Sequence, residues 1–156
     1  PDHESHSAQR AQGGRSVNLA VKLTLAASGI FLFVGLIGGV LKYRGIMTSP
    51  DHRAHPYIDI AHRASLLYSF AALVMAALLN FSPYSDQVQL LITGVPLFFF
   101  AVAIARYYRL GLEGKVTNQF QERNFTTTWG MLLLIVGELG GVGAIVWGFI
   151  STQFSS

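Results

Sequence analysis

Four long apolar stretches separated by short polar segments set the pattern of this chain. Residues 23–41 run for nineteen positions without a charge, and at about 1.5 Å per helical residue that length crosses the roughly 30 Å hydrocarbon core of a bilayer. A second stretch begins near Pro56, which a first helical turn tolerates, and is apolar after Arg63. The third, residues 88–105, is uncharged but contains Pro96, which predicts a kink that neighbouring membrane helices accommodate. The fourth, residues 129–150, is broken only by Glu138. Residues 1–16 are polar, glycine-bearing and aperiodic, the pattern of a mobile tail, with neither the charges nor the apolar run of a signal peptide. The expectation is an all-α membrane protein, a four-transmembrane-helix bundle in one domain over residues 17–153. Its spans fall at about 18–42, 58–80, 87–109 and 126–151.

Composition strengthens this reading. Hydrophobic residues make up 51% of the 156 and charged residues only 12%, too few to clothe a water-facing surface. The absence of cysteine excludes disulfides, thiolate metal sites and cysteine nucleophiles, leaving histidine, methionine, oxygen ligands and bound cofactors. Lys42, Arg44, Arg53, Arg106, Arg109, Lys115 and Arg123 lie in or beside the first and third loops, with Arg63 one turn inside. The other side carries only Arg10, Arg15 and Lys22. Basic residues are retained in the cytoplasm, so loops 1 and 3 are expected there and both termini on the opposite side. The net charge of +3 does not point to nucleic acid, because these residues flank spans and form neither a run nor an aromatic-interleaved platform.

Polar groups at membrane depth are costly and mark candidate chemistry. His62 is the one histidine within a span; His3, His6, His52 and His55 lie in the tail or first loop. A neutral imidazole suits ligation of haem iron or chlorophyll magnesium while its other nitrogen donates to an oxygen, for which Asp59, one turn earlier, is the candidate. A plain interfacial histidine bonded to backbone or headgroups is the competing reading. Glu138 is either a proton donor in a cavity or a protonated carboxyl bonded to a neighbouring helix. Arg106 either pairs with a cofactor propionate or snorkels to the interface, and Tyr107 and Tyr108 fit an aromatic belt. Gly35-xxx-Gly39, Gly137-xxx-Gly141 and Gly140-xxx-Ala144 predict close helix approach, within the chain or between subunits. His52, His55, Asp59 and His62 have spacings that suit zinc, although Pro50 and Pro56 work against the helical geometry it needs. No serine–histidine arrangement with an acid supports hydrolysis.

The first loop leading into Ala61-His62, with Tyr68 six residues on, and Gly111-Leu112 followed by Asn118-Gln119-Phe120 in the third loop resemble the styrene oxide isomerase family. The resemblance spans most of the chain and rests on topology, these two short motifs and their order. It implies haem b held by His62, with ferric iron acting as a Lewis acid that opens an epoxide before a 1,2-shift gives a carbonyl compound. It implies an intramolecular oxidoreductase with a small apolar substrate and Tyr68 at the catalytic position; on that reading Tyr68 and Phe98 to Phe100 are candidate pocket walls. The family has asparagine where Tyr68 stands, and its third-span tyrosine has no counterpart near Phe100 or Ala101. Six helical residues turn Tyr68 about 120° away from His62, so it flanks a macrocycle and does not sit beneath the iron. A single membrane histidine leaves the sixth iron position open unless Met131, at similar depth, fills it, which would favour electron transfer. The alternative is a haem- or pigment-binding subunit without catalysis, or an assembly subunit with no cofactor. Expected partners are the lipid bilayer and either further copies in a homo-oligomer or a larger membrane complex.

Overall fold

A computed structural model describes residues 18–115, 118 and 129–154. Four helices make up these residues: α1 (Leu19–Thr48), α2 (Pro56–Leu79), α3 (Asp86–Glu113) and α4 (Met131–Gln153). All four are long and apolar enough to cross a membrane, so the chain is a multi-pass, all-α membrane protein. The expected tail, residues 1–16, lies outside the described residues, as do Gln119, Phe120, Arg123 and the expected start of the fourth span at 126.

Local chemistry sets the helix ends. Asn18 caps α1, its side-chain oxygen accepting from the Ala20 N–H at 2.9 Å. The helix continues six residues beyond the expected position 42, because hydropathy marks the hydrocarbon and not the end of the hydrogen-bonded backbone. It stops at Ser49, which is extended before Pro50. His55 Nδ1 accepts from the Tyr57 N–H at 3.3 Å to cap α2, with Pro56 in its first turn. Gly114, in the left-handed region at φ 65°, closes α3. Pro96 lies within α3, which is assigned as one helix from Asp86 to Glu113.

The helices alternate in direction. At one end Lys42 pairs with Asp59, Tyr57 stacks on Tyr107 with ring centres 6.2 Å apart, and Ile58 packs on Gly111. At the other end the Asn18 side-chain amide donates to Asp86 at 2.8 Å and to Gln89 at 3.1 Å, and Gly148 packs on Tyr84 and Pro83. α1 packs most extensively on α2, and α4 rests on α3 and α2; among the described residues the backbones of α1 and α4 do not come close to one another.

The interior is small and partly polar, and the exterior is greasy. Thr24, Ser28, Ser65, Ser69, Gln89 and Thr93 are buried among Ala61, Ala72, Ala76 and Ile145, whereas Phe33, Phe70, Phe98, Leu139 and Trp147 face outward. In lipid the driving force for helix association is close packing and interhelical hydrogen bonding, such as Ser28 Oγ donating to the Ser69 carbonyl at 2.8 Å. Two of the three glycine spacings are used within the chain: Gly35 and Gly39 pack against Leu66 and His62, and Gly137 and Gly141 against α3, whereas Gly140 of the third meets nothing within 4 Å among the described residues.

Gly141 meets α3 where proline leaves the Ile92 carbonyl without its helical N–H partner. A Cβ there would fall 2.5 Å from the Ile92 oxygen and 2.5 Å from Pro96 Cγ, whereas Gly140 has open space. Backbone cannot yield as a side-chain tip does. Gly141→Ala is therefore expected to cost about 1–3 kcal/mol of stability, the usual range for overpacking. Gly140→Ala should be neutral in the same unfolding measurement in detergent.

Candidate functional site

His62 is half-buried on the α1 side of α2. Its Nδ1 lies 2.8 Å from the Gly35 carbonyl oxygen. A carbonyl can only accept, so in the neutral ring Nδ1 carries the proton and Nε2 keeps the lone pair. Three glycines make this contact possible. Gly35 exposes the accepting carbonyl, Gly38 lets the His62 backbone approach, and a Cβ on Gly39 would stand 3.2 Å from His62 Cε1. Tyr108 completes the junction from α3, its hydroxyl donating to the Val34 carbonyl at 2.9 Å beside Gly38.

This arrangement corrects the expected partner. Asp59 does not orient His62; its Oδ1 is held by Lys42 at 2.6 Å and its Oδ2 by Arg63 at 2.7 Å. Two cations outbid a neutral imidazole for a carboxylate. Tyr108, read from sequence as part of an interfacial belt, instead turns inward. A tyrosine on a third span beside a glycine-rich first span was the available signal, but the hydroxyl's backbone acceptor carries none.

The other expected site residues lie on different faces. Tyr68 stacks on Phe100 of α3, ring centres 4.1 Å apart and planes within 8°, the divergence from His62 that helix geometry predicts. It lines a groove of about 270 Å³ with Ile60, Arg63, Ala64, Leu67 and Tyr107. Arg106 lines a second groove of about 210 Å³ with Arg109, Leu110 and Glu113. His62 borders neither. Phe98 is exposed, so only Phe99 and Phe100 of the expected walls turn toward neighbouring helices. Met131 begins α4, whose backbone does not come close to α1 among the described residues, whereas His62 turns toward α1; nothing in these residues brings His62 and Met131 to one iron.

Glu138 Oε1 is shielded from solvent and has no hydrogen-bond partner among the described residues, so the expected bond to a neighbouring helix is not made by this atom. The carboxyl lies within electrostatic range of Tyr68 and Tyr107. The zinc reading fails. His52 sits in a tight turn at φ 52°, His55 Nδ1 is occupied capping α2, and no group of three or more His, Cys, Asp or Glu among the described residues can hold a metal ion. In that loop the Ser49 hydroxyl donates to Asp51 and holds its carboxyl below the usual carboxylate range.

Among the described residues His62 is the candidate axial ligand, with an anchored ring and an Nε2 that has no hydrogen-bond partner among them. Compared with protein-family models, curated proteins and solved structures, the chain matches none, so the chemistry of the site is read from its own residues.

Proposed function

We propose that this chain is a membrane haem b protein whose iron ligand is His62 Nε2, and that it isomerises small apolar epoxides to carbonyl compounds. The observation that carries the ligand assignment is the Nδ1–Gly35 carbonyl bond, which fixes the tautomer and the ring plane at membrane depth. The carbonyl raises the basicity of the imidazole, and the close α1–α2 seam keeps water from Nδ1. A ferric haem bound there supplies a Lewis acid to an epoxide oxygen. Within the chain, Tyr68 is the hydroxyl-bearing residue assigned to the substrate, stiffened by its stack on Phe100. The basic end, where α1 meets α2 and α3 ends, is assigned to the cytoplasm; a reporter fused to the C-terminus should then be active only outside it, and cytoplasmic activity would reverse the orientation.

The test of catalysis is conversion of an aryl epoxide to an aldehyde by purified protein without added reductant. Turnover that survives Met131→Leu and falls in Tyr68→Phe supports the isomerase. The separation of Tyr68 and Arg106 from His62 favours a second reading, a haem- or pigment-binding subunit without catalysis, which needs only His62. A haem-loaded protein with no turnover establishes that reading.

A further inference from the structure

We infer that the groove between α2 and α3 is a binding site for an anionic phospholipid, with Arg63 holding the phosphate and the acyl chain lying along Ile60, Ala64 and Leu67. The inference stands on Arg63 and Asp59 and does not need haem at His62, but its groove is the one that Tyr68 lines, so a lipid bound there would compete with the substrate assigned to Tyr68. Arg63 lies seven residues into α2, about 10 Å along the helix from Pro56, and its side chain is 64% exposed. A guanidinium offers five donors in a planar fork. Among the described residues one ion pair engages it, NH2 to Asp59 Oδ2, and that carboxylate is shared with Lys42. Lys42, Asp59 and Arg63 together leave one net positive charge, and of the three Arg63 lines the groove.

An exposed guanidinium at this depth reaches toward the headgroup layer, and its remaining donors match two oxygens of a phosphodiester. Directly beside it the groove is walled by Ile60, Ala64, Leu67 and the rings of Tyr68 and Tyr107. Leu67 is 68% exposed, so the groove opens sideways to where lipid chains lie. Glu138 is not on its wall and its Oε1 is shielded. The surrounding end of the bundle is basic in sequence, with Lys42, Arg44, Arg53, Arg63, Arg106, Arg109 and Lys115 outnumbering Asp51, Asp59 and Glu113. A phosphate with an acyl chain satisfies both halves of the site, the charge and the apolar wall, as basic pockets between membrane helices do.

The test is native mass spectrometry of the purified full chain in detergent titrated with phosphatidylglycerol, with phosphatidylcholine of the same acyl chains, or with inorganic phosphate. Phosphatidylglycerol should be retained preferentially. Arg63→Gln should weaken that retention about tenfold or more, and Arg63→Lys less, because lysine keeps the charge but loses the fork. Leu67→Trp fills the groove and leaves Arg63, so it should weaken retention too; it keeps the inference testable should Arg63→Gln not fold. Equal retention of both phospholipids, unchanged retention in Arg63→Gln or Leu67→Trp, or competition by inorganic phosphate at equal concentration would overturn it.

Discussion

If His62 is the haem ligand proposed above, His62→Ala should strip the protein of haem while leaving the four helices folded. The residue contributes to the fold through one bond to Gly35 and through packing against Gly38 and Gly39, and losing that bond costs on the order of 1 kcal/mol. The contribution proposed for it in holding iron is of another size. No second histidine lies within a span to take over, and Met131 lies on a helix whose backbone does not come close to α1 among the described residues. Haem affinity should therefore fall by more than the roughly 10–100-fold that follows loss of a hydrogen-bond partner behind a ligand. Added imidazole should restore a haem spectrum to His62→Ala, because it supplies the missing nitrogen in the space vacated; a purely structural histidine would not be rescued as a chromophore. Haem content equal to wild type in His62→Ala would move the ligand elsewhere.

The second large effect is expected at Gly38, where α1, α2 and α3 meet. A Cβ built there collides with the Tyr108 hydroxyl and lies 3.1 Å from His62 Cα, so both a side chain from α3 and the backbone of α2 must move. Gly38→Ala should cost about 1–3 kcal/mol and break the Tyr108 bond to Val34. It should also tilt His62 and lower haem retention. Tyr108→Phe removes the atom that the new methyl strikes, so the double variant should be more stable than the sum of the single effects, a coupling of about 0.5–3 kcal/mol between contacting sites. Additive unfolding energies in detergent would show that the methyl is accommodated some other way. Gly29, with open space around its Cβ position, is the neutral control on the same helix.

The number, order and approximate place of the helices were legible because an apolar run of about 20 residues has few readings other than a span. Their ends were less so. Lys42, Tyr43 and Arg44 lie outside the hydrophobic run yet continue α1 to Thr48, since a helix extends into the headgroup layer until a backbone signal such as Ser49-Pro50 stops it. At the site, the depth of His62 was visible but its partner was not. A carbonyl at Gly35 belongs to the backbone and has no residue code, whereas Asp59 advertises an oxygen at the right spacing. What decided the matter was Lys42, far away in sequence, together with Arg63 at the i+4 position. Likewise Gly35-xxx-Gly39 announced close packing, but nothing in the spacing said that Gly38 between them would receive Tyr108 from α3. Contacts between distant segments are set by how helices cross, and a single sequence does not contain that angle.

The most direct measurement is the haem content and ferric absorption spectrum of the full chain purified in mild detergent. If His62 holds the iron from one side as proposed, each chain should carry one haem b with a high-spin or water-bound ferric spectrum. A folded four-helix protein without a Soret band would contradict it.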